Sequence, residues 1–329
     1  MLGDVRVGAV GLGTMPLSIE GRPDEARAVA TVHAALDAGV TLLDTADSYH
    51  PPGGEPGEGE LLVARALASY GGRTDGVLVA TKGGRGRTAD GGWTVDGRPG
   101  HLRRAAEASA RRLGGDAIGL YQLHKPDPAV PYAESLGAVR ELLDAGTVRL
   151  AGVSNVDAER ILLAREVLGD RLVSVQNRYS PAVRDGEAEL RLCAELGLAF
   201  LPWSPLGGIS RSSLDGTSAL EEDPEFGAFH RVARARGTGP QRVALAWLLS
   251  RSETVLPIPG ASRPETARDS AAATGLVLTE EELRELGGSA VRGKREASGR
   301  TEVNGARSYG REQEAPGRTR VNRALAVQG

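Results

Sequence analysis

The chain has 329 residues, 40% of them hydrophobic and 25% charged, with a formal net charge of −3. That length suits one α/β barrel and that apolar content is ample for a core, so a globular body of enzyme size is expected. The near-balanced charge argues against a nucleic-acid partner or an anionic membrane; no apolar run approaches the roughly 20 residues of a membrane helix, and no signal peptide opens the sequence.

Eight short apolar runs alternate with helical patterns along the chain. The predicted strands are 5–10, 41–44, 77–81, 118–123, 149–153, 172–176, 199–203 and 254–257. The helices between and after them fall at 24–38, 59–70, 100–113, 131–145, 157–168, 186–196, 241–250 and 264–274. Glycine stands where a left-handed helix end is wanted, at Gly39, Gly114, Gly146 and Gly197. Alternation on this scale implies βαβ units, and eight of them imply a closed (β/α)8 TIM barrel of the α/β class, with extended βα loops. Two of those loops are long: 83–99, with Trp93 inside it, and 206–240, with a helix expected around 221–236. Both follow strand C-termini and would overhang a barrel mouth. Residues 1–291 form the expected barrel domain. Residues 292–329, rich in Arg, Gly, Glu, Ala and Ser, read as a low-complexity basic tail, mobile or lid-forming. The one cysteine, Cys193, lies in a helical pattern and reads as a packing residue, which fits a reducing cytoplasm.

Four stretches end predicted strands or follow them: Asp44-Thr45-Ala46-Asp47-Ser48-Tyr49, Ala80-Thr81-Lys82-Gly83, Tyr121-Gln122-Leu123-His124 and Gly152-Val153-Ser154-Asn155. In a parallel barrel the strand C-termini converge on one face, so Asp44, Tyr49, Lys82 and His124 would meet there. Lysine occurs only at 82, 125 and 294, against 37 arginines. A lysine kept behind a buried strand in such a chain points to a need for a compact, tunable ammonium. Beside a tyrosine hydroxyl it would lower the phenol pKa, and Asp44 would hold it in place. With His124 donating to the same oxygen, the set would polarise a carbonyl and protonate it. The five histidines show no metal-ligand spacing, so no metal is expected.

Protonation of a carbonyl oxygen calls for an electron pair at carbon, which a hydride-carrying cofactor must bring. The N-terminal Gly8-Ala9-Val10-Gly11-Leu12-Gly13 does not match a dinucleotide fingerprint and reads as a tight strand exit. Phosphate sites in barrels lie after strands seven and eight, where Trp203-Ser204-Pro205-Leu206-Gly207-Gly208 and Pro259-Gly260-Ala261-Ser262-Arg263 stand. Trp203 could stack on a nicotinamide; Ser154, Asn155 and Gln176 could bond a carboxamide; Arg263 opens a helix suited to a phosphate monoester.

These motifs, with Gly11-Leu12-Gly13-Thr14-Met15, Val175-Gln176 and Pro257-Ile258-Pro259-Gly260-Ala261-Ser262, resemble the aldo-keto reductase family in order and spacing across about residues 5–290. The resemblance implies a TIM barrel that reduces an aldehyde or ketone with NADPH, NADH being a possible substitute. It implies Tyr49 as general acid, Lys82 and Asp44 as the pair tuning it, and His124 as the carbonyl-orienting residue. It implies a cofactor site from Thr14, Met15, Ser154, Asn155, Gln176, Trp203, Ser204, Pro205, Leu206, Gly208, Gly260, Ser262 and Arg263. The pyrophosphate would lie under 204–208, the 2′-phosphate near Ser262 and Arg263, and adenine near Asp269. Thr266 and Ser270 stand where many relatives carry other polar residues, which weakens the expected adenosine contacts.

Two other functions compete. The family includes nucleotide-sensing, non-catalytic partner subunits of potassium channels, and a barrel lysine can form a Schiff base; the carboxylate beside Lys82 disfavours the second. The substrate is expected to be a small carbonyl compound, polar or sugar-like on the strength of only 4% aromatic residues. Its specificity would lie in Ser48, His50, Trp93, the 206–240 loop and the tail. Oligomeric state is not legible.

Overall fold

A computed structural model describes residues 1–207, 209 and 226–287. The tail at 292–329 and, within the 206–240 loop, Gly208 and residues 210–225 lie outside the described residues.

Seven parallel strands form one curled sheet: β1 (Leu12–Gly13), β2 (Leu42–Asp44), β3 (Leu78–Gly83), β6 (Ile118–Leu123), β7 (Val148–Ser154), β8 (Leu172–Gln176) and β9 (Ala199–Phe200). The missing numbers belong to a separate antiparallel hairpin, β4 (Arg85–Arg87) and β5 (Trp93–Val95). That hairpin occupies the 83–99 segment, expected as a loop. Helices α1 (Glu25–Asp37), α2 (Glu58–Ser69), α3 (Pro99–Leu113), α4 (Tyr132–Asp144), α5 (Ala158–Leu168) and α6 (Glu187–Leu196) follow their strands in turn. After them come α7 (Gly227–Arg236), α8 (Pro240–Leu249) and α9 (Pro264–Ala271).

The eighth stave closes the barrel without being a regular strand. Residues 254–260 bridge to β9 at Phe200↔Val255 and to β1 at Gly13↔Gly260. Pro257 and Pro259 lack N–H donors, and the stave turns them where only acceptors are needed: their carbonyls accept from Gly11 and Gly13, each at 3.0 Å. The donors of Leu256 and Ile258 point the other way, to Phe200 (2.9 Å) and Pro202 (3.4 Å). The N-terminal glycines make that approach possible, since a Cβ on Gly13 would sit 2.8 Å from the Ile258 carbonyl oxygen. Their role is barrel closure rather than a strand exit alone.

The strand expected at 5–10 is displaced. The ladder begins at Leu12, and Leu2 pairs with Val5 in an isolated bridge ahead of it. Leu2 is fully buried among Leu42, Leu78, Leu120, Leu201 and Leu256, so the N-terminal segment inserts an apolar residue into the barrel interior. The apolar run at 5–10 reflects that burial, with Val5 and Val7 half-buried against the same cluster. The strand expected at 199–203 stops at Phe200, before Pro202. The four glycines predicted as helix ends all have positive φ, between 67° and 86°. Cys193 is buried, and burial pushes its thiol up to about 12, consistent with packing rather than reactivity.

The alternation of strand side chains sets the chemistry. Leu42, Leu78, Ala80 and Leu120 face into the barrel. Two residues further along each strand, the same inward row holds Asp44, Lys82 and Gln122, and His124 follows at the end. The interior thus changes from leucine to polar groups toward the strand C-termini.

Candidate active site

The segment after β2 is stitched to β3 before it leaves the sheet. Thr45 N–H donates to Ala80 O at 2.8 Å and Asp47 N–H to Lys82 O at 3.2 Å. A turn then brings Tyr49 back, closed by Tyr49 N–H to Ala46 O (3.3 Å) and Gly59 N–H to Tyr49 O (3.0 Å). Gly59 lies in the first turn of α2, where a Cβ would stand 3.1 Å from that of Tyr49. The phenol is thereby held against β3.

Lys82 is fully buried and donates three hydrogen bonds: to Asp44 Oδ2 (2.5 Å), the Thr45 carbonyl (2.8 Å) and the Tyr49 hydroxyl (3.2 Å). The other oxygen of Asp44 accepts from Gln122 (3.1 Å) and Gln176 (2.9 Å). The Tyr49 and His124 rings meet edge to face, centroids 5.9 Å apart. Burial disfavours the Lys82 ammonium, but Asp44 and Tyr49 together favour the charge by more, so its pKa ends above the ordinary lysine value. A protonated amine held by three acceptors is a poor Schiff-base nucleophile.

The phenol itself behaves differently from expectation. Burial raises the Tyr49 pKa, Lys82 lowers it, and burial wins, leaving it above the usual tyrosine value. The ammonium moderates the shift without reversing it. Burial also pushes His124 well below its ordinary pKa, helped by Lys82, Arg85 and Lys125, so the imidazole is neutral. Its Nδ1 lies 3.5 Å from Ser48 Oγ.

One cavity opens above these groups. Of the residues singled out in the sequence, Met15, Asp44, Tyr49, His124, Asn155, Gln176, Trp203, Ser204, Pro205, Leu206 and Gly260 line it. Thr14 and Ser154 stand behind that lining: Thr14 bonds the Asp44 carbonyl through its hydroxyl (3.0 Å), and Ser154 accepts from Asn155 (3.0 Å) and donates to Gln176 O (2.7 Å). Among the described residues, Asn155 (φ 59°) and Ser204 (φ 47°) are the only non-glycine residues with left-handed backbone. Both lie on the cavity wall. Further out are the exposed Ser262 and Arg263, which open α9, and Thr266, Asp269 and Ser270 within it. Arg242 Nε holds Asp269 at 3.0 Å, and Ser270 is buried.

Two neighbours of the cavity escaped the sequence reading. Gln122 clamps Asp44 from a buried strand, and its amide inside an apolar run was the available signal. Arg85 lines the cavity from the hairpin, and nothing in its local sequence separates it from the many other arginines.

The aldo/keto reductase family model matches residues 9–289. An uncharacterized oxidoreductase of Schizosaccharomyces pombe is 32% identical over 289 residues, covering 87% of each chain. The glycerol dehydrogenase of Gluconobacter oxydans superposes with a TM-score of 0.74 at 28% identity, over 88% of this chain and 93% of its own. An aldo/keto reductase from Klebsiella pneumoniae, solved with NADP and acetate, gives a TM-score of 0.67 at 29% identity, over 87% of this chain and 94% of its own.

Proposed function

This chain belongs to the aldo/keto reductase family, and we propose that it reduces an aldehyde or ketone to an alcohol with NADPH, using Tyr49 as the acid. One observation carries the reading: the Tyr49 hydroxyl takes a hydrogen bond at 3.2 Å from an ammonium that is itself paired with Asp44, all beneath one cavity. Because burial keeps the phenol protonated through the neutral range, the acid form is always at hand. As the proton leaves for the carbonyl oxygen, the adjacent Lys82 charge stabilises the phenolate that forms. That is the stage at which a buried cation is worth most. Neutral His124 can donate to the same oxygen without competing as an acid.

The cavity suits a nicotinamide nucleotide. Asn155 offers an amide, Trp203 an indole face, and 204–207 a backbone already bent into a left-handed turn at Ser204. Gln176 commits its amide nitrogen to Asp44, which leaves its carbonyl oxygen for a carboxamide. Arg263 at the head of α9 would receive the 2′-phosphate, with Ser262 beside it, and α9 the adenosine. When bound, NADPH supplies the hydride; the protein supplies the proton, the orientation and a water-poor pocket. A precedent for the nucleotide is the Klebsiella neighbour solved with NADP.

Tyr49→Phe tests this. Turnover of an aldehyde panel is expected to fall by about 10²–10⁴-fold, with NADPH binding, read by quenching of tryptophan fluorescence, unchanged. Carbonyl reduction at the wild-type rate by that variant would remove Tyr49 from the chemistry. Tight NADPH binding with no oxidation by any carbonyl, in the wild type, would favour the partner-subunit reading instead.

A further inference from the structure

A neutral imidazole carries a single ring proton, and the nitrogen that holds it is set by the hydrogen bond the other nitrogen makes. For His124 the choice matters. A hydrogen on the nitrogen that faces the cavity can be donated to a carbonyl oxygen, whereas a lone pair there repels that oxygen. Backbone contacts fix where the residue stands: its N–H donates to Gly83 O at 2.9 Å, and its carbonyl accepts from Asn155 Nδ2 at 2.9 Å. The Tyr49 ring crosses the imidazole at 81°. The two backbone contacts place the ring and leave its proton undecided.

Among the described residues, the hydrogen-bond partner of the imidazole is Ser48 Oγ, 3.5 Å from Nδ1, and Nδ1 is in turn the partner of that hydroxyl. Both side chains are buried. The separation is long for a hydrogen bond in the resting site; catalytic contacts of this kind tighten as substrate engages. His124 belongs to the cavity lining, and Ser48, the residue before Tyr49, lies outside the described lining. Nδ1 therefore faces protein, and Nε2 is the nitrogen left to the cavity. The direction of the bond follows from burial. A hydroxyl has one hydrogen to place, and with Nδ1 as its partner that hydrogen is paired only when it is given to Nδ1. Accepting from an Nδ1–H would bury an unpaired O–H.

We propose that Ser48 is a positioning residue of the reduction: its hydroxyl donates to Nδ1 of His124, holds the imidazole in the Nε2–H form and so aims that hydrogen at the carbonyl oxygen of the substrate. This rests on the carbonyl-reductase reading. Two consecutive residues of one turn then supply the acid, Tyr49, and set the donor state of the second group on the same oxygen. Ser48, a candidate for substrate selection in the sequence, acts on the proton of His124 rather than on the substrate.

The tautomer is read without substrate, on the full chain labelled with nitrogen-15 histidine, by long-range proton–nitrogen correlation at pH 7.5. His124 is assigned from its absence in His124→Gln. The wild type should show the Nε2–H pattern, and Ser48→Ala should move the His124 nitrogens toward the averaged shifts of a tautomer mixture. Turnover of aldehydes by Ser48→Ala should fall roughly three- to tenfold in kcat, the worth of one hydrogen bond. Ser48→Thr should turn over several-fold faster than Ser48→Val, because those two side chains share a shape and differ in the hydroxyl. Adding Ser48→Ala to His124→Gln should cost nothing further. An Nδ1–H pattern in the wild type, or an Nε2–H pattern that Ser48→Ala leaves in place, overturns the proposal. Equal turnover by the Thr and Val variants does so too, as does a Ser48→Ala loss that persists in full in His124→Gln. No turnover of any aldehyde by the wild type overturns the reductase reading, and the spectrum still decides the tautomer.

Discussion

The Asp44–Lys82 pair lies at the floor of the site, and its removal can be worked through from geometry. Side-chain exposure is 0% for Lys82 and 3% for Asp44. Lys82→Met deletes three hydrogen bonds and strands the Asp44 charge with only the Gln122 and Gln176 amides. Asp44→Asn keeps an acceptor for those amides but strands the ammonium with Thr45 O and the Tyr49 hydroxyl. Each single change should cost about 3–5 kcal/mol, the usual cost of breaking a buried pair. The double variant holds no buried charge at this point and still offers an oxygen to both glutamines. It should be about 1–3 kcal/mol more stable than the sum of the singles predicts. Urea unfolding at pH 7.5 without nucleotide, followed by tryptophan fluorescence and far-UV circular dichroism together, gives the three differences. Additivity within about 0.5 kcal/mol would show that the two charges do not sense one another and would refute the electrostatic argument. Turnover supplies the other half of the test. The double variant, though more stable than expected, should stay as inactive as Lys82→Met, because Tyr49 has lost its cation. Activity returning with stability would mean that the ammonium matters to folding and not to proton transfer.

Three further expectations follow from buried groups near the site. Asp47 is buried, its Oδ1 has no hydrogen-bond partner among the described residues, and burial together with Glu60 lifts its pKa well above the carboxylate range. A raised pKa favours the native state least once pH exceeds the unfolded value near 3.9, so Asp47→Asn should gain stability over wild type as pH rises from 4.5 to 7.5; a constant Tm difference across that range would refute it. His124 has a depressed pKa, so its contribution is present above the unfolded value near 6.5 and is lost as pH falls. The Tm advantage of wild type over His124→Gln should therefore shrink between pH 7 and 5, and widening on acidification would contradict the assignment. A Cβ on Gly83 would lie 1.9 Å from the Tyr121 hydroxyl, which is buried and has no hydrogen-bond partner among the described residues, so Gly83→Ala should cost about 2–4 kcal/mol, with Tyr121→Phe restoring part of it. Equal loss with and without the hydroxyl, by chemical denaturation, would place the clash elsewhere.

Most of the barrel was legible because its signals are local and repeat. The strands at 118–123 and 172–176 match the structure to the residue, and helix bounds differ by about one residue where an apolar stripe ends on a glycine. Legibility failed where one apolar run can serve two purposes. The valines at 5, 7 and 10 look like a strand, yet Leu2 and its neighbours serve as an insert beneath the barrel, and only the closed tertiary structure distinguishes those uses. The eighth stave was found, but its irregularity came from two prolines whose direction of hydrogen bonding depends on which neighbour lies on which side. At the site, Asp44, Tyr49, Lys82 and His124 were readable as polar groups ending apolar strands. Arg85 was not, because it lies on a hairpin whose strands are only three residues long and whose composition resembles an exposed loop.

The sign of the Tyr49 shift shows how burial acts in two directions at this centre. Low local polarity raises the cost of a resting phenolate, and burial outweighs the cation for the ground state. In the proton transfer proposed for Tyr49, the same low polarity would strengthen the attraction between Lys82 and negative charge on the Tyr49 oxygen. An acid made weak at rest and relieved during transfer gives differential stabilisation, whereas a tyrosine simply made acidic would lose its proton to solvent before use. Such an arrangement requires the oxygen to stay dry and the ammonium to stay charged. The first follows from the packing of Tyr49 against α2 and His124, and the second from Asp44 held by two glutamines. The buried charges and the left-handed Asn155 and Ser204 destabilise this end of the barrel, and the leucine-lined interior beneath offsets them. The division of each strand into an apolar half and a polar end is therefore an energetic requirement of the site as well as a pattern in the sequence.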